Sequence, residues 1–246
     1  MWAYRNDRYN GGWTALQAAT EAGYLDVVNR LLEAGADINA EPSRYNGKTA
    51  LQAVVSTGRL DVVKTLLAAG ADINARPSKE GLTALEFAAE YGDLNILKIL
   101  LEAGAHVGEP RDLDEHKART ALEVASGAGH LVIVDRLLEV GMSANLRKWG
   151  TNRAGRTALS AASEGGHLDI VDGLLGADAD VNAGPAGFKG RTALQAAGGG
   201  GNLDIVNRLL GVSAEVNAEA PSLFVSRRTA LQAAADAGNL DIVNCF

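Results

Sequence analysis

The strongest constraint on the fold is a motif that recurs along the chain at nearly constant spacing. The tripeptide Thr-Ala-Leu occurs seven times in 246 residues, at intervals of 34 to 37 residues, starting at Thr14, Thr49, Thr83, Thr120, Thr157, Thr192 and Thr229. A glycine follows nine residues after each threonine. Self-similarity at such a period is typical of solenoids, in which one small unit stacks on the next. We therefore expect a linear array of about seven copies.

Each copy has the pattern of two short helices followed by a loop. The threonine is a good N-cap, and the alanines and leucine after it favour a first helix. A second helix is predicted from about Leu25, because its apolar residues share one face. Glycines such as Gly35 are suited to the left-handed residue that ends this helix. Asp178 and Ser213 replace that glycine in two copies, and serine tolerates the conformation less well.

These motifs resemble the ankyrin repeat over almost the whole chain. The family's Thr-Pro-Leu-His appears as Thr-Ala-Leu-Gln in four copies, and two copies carry the family's Gly-His-Leu at Gly129–Leu131 and Gly166–Leu168. The resemblance implies an all-α, right-handed ankyrin solenoid of about seven helix-turn-helix repeats with β-hairpin-like finger loops. The amino acids of the repeated motifs are similar to those of ankyrin arrays of filamentous fungi, which are often part of intracellular receptor-like proteins. It also implies non-catalytic recognition of a protein partner, which we expect to bind through the concave face and the finger loops.

The expected organisation is an N-terminal arm, residues 1–13, followed by one ankyrin-repeat domain, residues 14–246. One domain is expected because repeats bury their apolar faces only against neighbours. The last copy stops within its predicted second helix, so we expect it to be incomplete. The start lacks the apolar core of a secretory signal, no stretch is apolar enough to span a membrane, and Cys245 is the one cysteine. A cytoplasmic protein without metal or cofactor is predicted.

Variation in length is confined to one loop per copy. The first 25 residues after each threonine align without gaps in all six complete copies, whereas the segment between them and the next threonine varies from 8 to 11 residues. We call the variable loops the fingers, and they comprise residues 40–48, 75–82, 109–119, 146–156, 183–191 and 218–228. Insertions on one face of a solenoid usually mark its binding face.

Charge and aromatic residues point to the same loops. The fingers hold 15 Lys or Arg against 7 Asp or Glu, although the whole chain has a net charge of −7. Aromatic residues and arginine are enriched at the energetic centres of protein interfaces. The predicted binding residues are therefore Tyr45, Tyr91, Trp149, Arg153, Phe188, Lys189, Phe224 and Arg227. The alternative is that these aromatic residues pack against neighbouring fingers. Nucleic acid is disfavoured because the helical body is acidic.

A second function class stays open on the sequence alone. The run Gly198–Gly200 would remove side chains from a groove and leave a depression over copies four to six, walled by Tyr91 and aromatic fingers; a frayed helix end is the alternative. Such a depression would suit a small-molecule sensor or an enzyme. If they line the groove, Glu86, Glu90 and Glu123 are the candidate acid–base residues, because clustered carboxylates can raise one another's pKa. A solvated face is the commoner role.

Overall fold

The computed structural model describes residues 13–42, 47–75, 82–107, 120–146, 156–184, 191–218 and 228–246. Within these ranges the chain forms fourteen helices and no strand. They follow one another as a first and a second helix in each of seven copies, as the motif spacing predicts. The helices divide between two compact units, Met1–His106 and Val107–Phe246.

The first unit contains three helix pairs. Its helices are α1 (Ala15–Ala22), α2 (Leu25–Glu33), α3 (Ala50–Val55), α4 (Leu60–Ala68), α5 (Ala84–Tyr91) and α6 (Leu94–Glu102). The second unit contains four pairs. Its helices are α7 (Ala121–Ala128), α8 (Leu131–Glu139), α9 (Ala158–Gly165), α10 (Leu168–Gly176), α11 (Ala193–Gly200), α12 (Leu203–Gly211), α13 (Ala230–Asp236) and α14 (Leu240–Val243). Among the described residues, no helix combines the length and apolarity needed to cross a membrane.

Apolar side chains of both helices in a pair form the core. On α4, Val62, Val63 and Leu66 are completely buried, and on α3 Leu51 and Val54 are 1% exposed or less. On α4 these residues recur at helical spacing, so the helix has one apolar face and turns the other to solvent, whereas every residue of α3 is buried. Because neighbouring pairs extend the same core, each unit is a stack and not a set of separate two-helix bundles.

The repeated threonine caps each first helix, as the sequence predicts. In α1, the Thr14 hydroxyl accepts a hydrogen bond from the backbone N–H of Gln17 at 3.1 Å. The Gln17 side-chain oxygen accepts one from the backbone N–H of Thr14 at 2.9 Å. This reciprocal capping box satisfies two backbone donors at once. It forms at six of the seven first helices, Thr120 being the exception.

An asparagine near the end of a copy joins that copy to the next. The Asn182 side-chain amide donates to the carbonyl of Ser213 at 3.2 Å, and its oxygen accepts from the backbone N–H of Glu215 at 2.8 Å. Asn39, Asn74 and Asn145 make the same pair of bonds. This contact explains why the distance from threonine to asparagine is constant while the finger beyond it varies.

The expected left-handed residues at the ends of second helices are confirmed. Asp178 has a φ of 59° and Ser213 has a φ of 65°, in the region occupied by Gly141 at 89° in the copy of α8. These two are the only residues other than glycine with positive φ in the described part of the chain. A side chain in this conformation costs about 1–2 kcal/mol, so both positions are locally strained.

Candidate functional site

In each of the two units, one surface gathers chemically distinctive side chains. We call it the first-helix face: the exposed side of the first helices, together with the residue that precedes each capping threonine. The residue before the threonine and the residue seven positions after it meet there, because the latter lies two helical turns into the helix. In the first unit, for example, the Lys48 ammonium lies 3.1 Å from the Ser56 hydroxyl.

Aromatic side chains lie beside this lysine. The Lys48 ammonium is 5.1 Å from the centroid of the Phe87 ring, and the Phe87 and Tyr91 rings stack at 6.3 Å and 15°. Phe87 and Tyr91 are four residues apart on α5, so they project from the same side of the helix. Tyr91 is 53% exposed. The first unit therefore presents a cation and an accessible aromatic pair, with the predicted binding residue Tyr91 at its edge.

The second unit presents arginines instead of aromatic residues. Arg156, Arg191 and Arg228 each precede a capping threonine, and we call these three the arginine row. Arg156 pairs with Glu164, and Arg228 pairs with Asp236 at 2.9 Å. Both acids occupy the position seven residues after the threonine. Sequence reasoning assigned these arginines to the general charge of the fingers and missed the pairing, although the repeated eight-residue separation was visible.

Arg191 differs from the other two arginines. Gly199 stands where its own copy would carry the acid, so the Arg191 guanidinium reaches back to Glu164 at 3.9 Å. One carboxylate is thus shared by two guanidinium groups. The side chain of Arg191 is 51% exposed, close to the 54% of Arg228 and above the 33% of Arg156. In this row three arginine cations face two carboxylates.

The run Gly198–Gly200 does not form the floor of a depression, as the sequence predicted that it would. A Cβ atom at Gly198 would lie 3.0 Å from the carbonyl oxygen of Ala230, and one at Gly200 would lie 2.8 Å from that of Glu164. These two glycines therefore permit close packing against neighbouring first helices. The helix is not frayed either, since α11 runs through Gly200 and closes on left-handed Gly201. At Gly199 the nearest atom to a Cβ would belong to a side chain and not to the backbone: it is Nη1 of the exposed Arg191, at 3.2 Å.

The three candidate acid–base glutamates have different surroundings. Glu86 is 4% exposed, and its carboxylate accepts the backbone N–H of Thr83 at 2.9 Å, so it completes the capping box of α5. Glu123 is 6% exposed at the same position of α7 in the second unit. Glu90 lies four residues after Glu86, partly exposed. Glu86 thus acts as a structural hydrogen-bond acceptor, which the Thr-x-x-Glu spacing would have indicated.

The other predicted binding residues lie in the fingers, outside the described residues; they are Tyr45, Trp149, Arg153, Phe188, Lys189, Phe224 and Arg227. His167, in the second of the Gly-His-Leu motifs, lies within the described part and contacts the preceding copy. Its Nε2 is 3.3 Å from the carbonyl oxygen of Gly127 in the preceding copy. Asn202 replaces the histidine one copy later and donates to the Ser163 carbonyl at 2.8 Å.

The second helices carry a different kind of feature. An open cleft of about 460 Å³ lies between α10 and α12, beside an ion pair between Asp172 and Arg208. In the described ranges, no three His, Cys, Asp or Glu side chains are grouped so that they could hold a metal ion.

On α4, a hydrogen bond from Arg59 and another from the backbone N–H of Val62 lower the pKa of Asp61.

Comparison with known proteins agrees with this architecture. Family models described as ankyrin repeats match residues 40–111 and 107–185, and single-repeat models match residues 11–41 and 189–220. No curated protein sequence matches the chain significantly. The crystal structure of the human ASB11 ankyrin repeat domain is similar, with a TM-score of 0.74 at 23% identity over 94% of this chain and 97% of that one. At that identity the likeness concerns the fold.

Proposed function

We propose that this chain, which belongs to the ankyrin repeat family, recognises a protein partner through its first-helix face and the adjoining fingers. Ankyrin repeats generally bind protein partners, but the family does not say which surface or which partner is involved. The location is argued from the residues of this chain.

The Phe87–Tyr91 pair, in which Tyr91 is exposed, carries the proposal. Stacked aromatic rings beside a lysine ammonium combine a large apolar area with a fixed orientation, and tyrosine is enriched among residues that dominate binding energy. Tyr91 is the last residue of the well-packed first helix α5, and it leaves half of its surface to solvent. A partner that covers it would remove apolar surface from water without reordering the helix beneath.

The composition of the fingers supports the same surface. The loops that follow each copy carry the excess of Lys and Arg and four of the ten aromatic residues of the chain other than Phe87 and Tyr91. Each finger leads directly into a capping threonine, and the residue before that threonine lies on the first-helix face. A partner seated on this face would therefore meet the bases of successive fingers.

The test is an affinity comparison on a captured partner. The purified chain is used as bait in native extract, the bound protein is identified by mass spectrometry, and its affinity is measured by calorimetry. Tyr91→Ala should weaken binding by about 1–3 kcal/mol, the range for an interface anchor. The matched control is Tyr24→Ala, since Tyr24 is 63% exposed but precedes a second helix, α2. Equal affinities for both variants would remove Tyr91 from the interface.

A further inference from the structure

The arginine row has a gap in its pattern of alternating charge. In the copies that contain α9 and α13, the arginine before the threonine faces an acid on its own first helix, Glu164 or Asp236. In the copy between them, Arg191 faces Gly199. The copy with the middle arginine therefore has no acid at this position, and the row contains more cations than carboxylates.

The glycine lets the Arg191 side chain lie over the first helix where its own copy lacks an acid. A Cβ atom built on Gly199 would meet Arg191 Nη1 at 3.2 Å and the Cβ of Ala233 at 3.8 Å. The guanidinium therefore lies across the glycine, in the place where a carboxylate stands in the neighbouring copies. Its contact with Glu164 is long, at 3.9 Å, and Glu164 is already paired with Arg156.

We propose that an aspartate or glutamate side chain of the partner pairs with the exposed guanidinium of Arg191, which lies over Gly199. The partner's contact segment is then acidic. This inference rests on the proposed function, because it names the chemistry of the partner that the first-helix face would bind. A guanidinium binds a carboxylate through two parallel N–H···O hydrogen bonds, so a single acidic side chain is enough to complete the row.

Charge in the flanking loops favours the same partner. The last three fingers contain eight Lys or Arg and one acidic residue, Glu219, in a protein whose net charge is −7. Positive charge concentrated in a few segments of an acidic protein attracts acidic segments of a partner. Nucleic acid would also be drawn to arginine, but it would be repelled by the rest of the molecule. A carboxylate of the partner could pair with Arg191 in the way that Glu164 pairs with Arg156 and Asp236 pairs with Arg228.

The decisive variant supplies the missing acid from within the chain. In Gly199→Glu the new carboxylate would pair with Arg191 and fill the position proposed for the partner. Gly199→Ala removes the same glycine without adding charge. Gly173→Glu adds the same charge on the second helix α10, where a Cβ atom would meet nothing within 4 Å. Thermal melts of all three variants verify that they fold.

The probes are fluorescein-labelled hexaglutamate, hexaglutamine, a phosphoserine-containing hexapeptide and a single-stranded oligouridine, each measured by fluorescence anisotropy at low and physiological salt. We expect hexaglutamate to bind better than hexaglutamine and to weaken as salt screens the charges. Gly199→Glu and Arg191→Ala should each reduce hexaglutamate affinity roughly fivefold, as expected for one partly exposed ion pair. Gly199→Ala and Gly173→Glu should match the unmodified chain.

Several results would overturn the inference. Equal binding of hexaglutamate and hexaglutamine would show that the face has no preference for acid. Equal affinities of Gly199→Glu and Gly199→Ala would show that the acid binds elsewhere. Oligouridine or phosphoserine binding that exceeds hexaglutamate binding and depends on Arg191 would assign the position to phosphate. None of these results affects the comparison of Tyr91→Ala with Tyr24→Ala. The inference of an acidic partner and the proposal of the binding face can therefore be refuted separately.

Discussion

Three adjacent glycines in α11 allow a test of helix propensity against packing. The two effects predict opposite changes in the free energy of unfolding when a glycine is replaced by alanine. Replacing glycine by alanine inside a helix stabilises a protein by about 1 kcal/mol if nothing else changes. On that basis alone Gly198→Ala, Gly199→Ala and Gly200→Ala should all raise the free energy of unfolding. The structure separates the three, because each Cβ atom would meet different neighbours.

The contacts set the expected magnitudes. At Gly199 the nearest atom is the flexible end of Arg191, at 3.2 Å, so the substitution should keep about 0.5–1 kcal/mol of stabilisation. At Gly200 a Cβ atom would lie 2.8 Å from the Glu164 carbonyl oxygen and 2.7 Å from Asn202 Nδ2. Forcing these atoms apart costs about 1–3 kcal/mol and strains the hydrogen bond from Asn202 to Ser163, so Gly200→Ala should be destabilising on balance.

Urea denaturation followed by circular dichroism measures all three on one scale. With a common dependence on urea, the transition midpoints report the order of stability. We expect Gly199→Ala to lie above the unmodified chain and Gly200→Ala to lie below it. Gly198→Ala should fall between them, since its Cβ atom would be 3.0 Å from the Ala230 carbonyl oxygen. If the three midpoints rise equally, helix propensity governs this segment and the packing argument is refuted.

Three further predictions follow from local contacts. Ser213→Gly should raise the free energy of unfolding by about 1 kcal/mol, because serine is held at a φ of 65°; a lower urea midpoint would contradict this. Asn182→Ala should lower it by about 1–2 kcal/mol through the loss of two bonds to the next copy, measured by the same denaturation. The Asp61 carboxyl should titrate below its ordinary pKa in an NMR pH series. Because the depressed pKa favours the charged form in the folded state, its contribution is present at neutral pH and is lost as the pH falls; Arg59→Ala should raise that pKa.

The sequence predicted the fold where the controlling chemistry is local. The capping threonines, the pairs of helices and the left-handed Asp178 and Ser213 all depend on residues within one copy. Their signals are short-range, so they can be recognised without knowing how copies pack.

The sequence failed where the role of a residue depends on the neighbouring copy. Gly198 and Gly200 suggested an empty floor, but a carbonyl of an adjacent first helix occupies the space beside each. Arg191 read as one more basic finger residue, and its contact with Glu164 crosses from one copy to the previous one. Glu86 is the exception: its capping role was local, and the acid–base hypothesis overlooked the Thr-x-x-Glu pattern.

Site-specific photocrosslinking tests the central claim, that the first-helix face binds a protein. A photoreactive phenylalanine analogue is placed at Tyr91 or Glu164 on this face, or at Tyr24 or Val132, both exposed residues of second-helix segments. Native extract is irradiated, and the adducts are identified by mass spectrometry. The account predicts one and the same protein joined to both face positions and to neither control. Adducts of that protein at Tyr24 and Val132, with none at Tyr91 and Glu164, would contradict it.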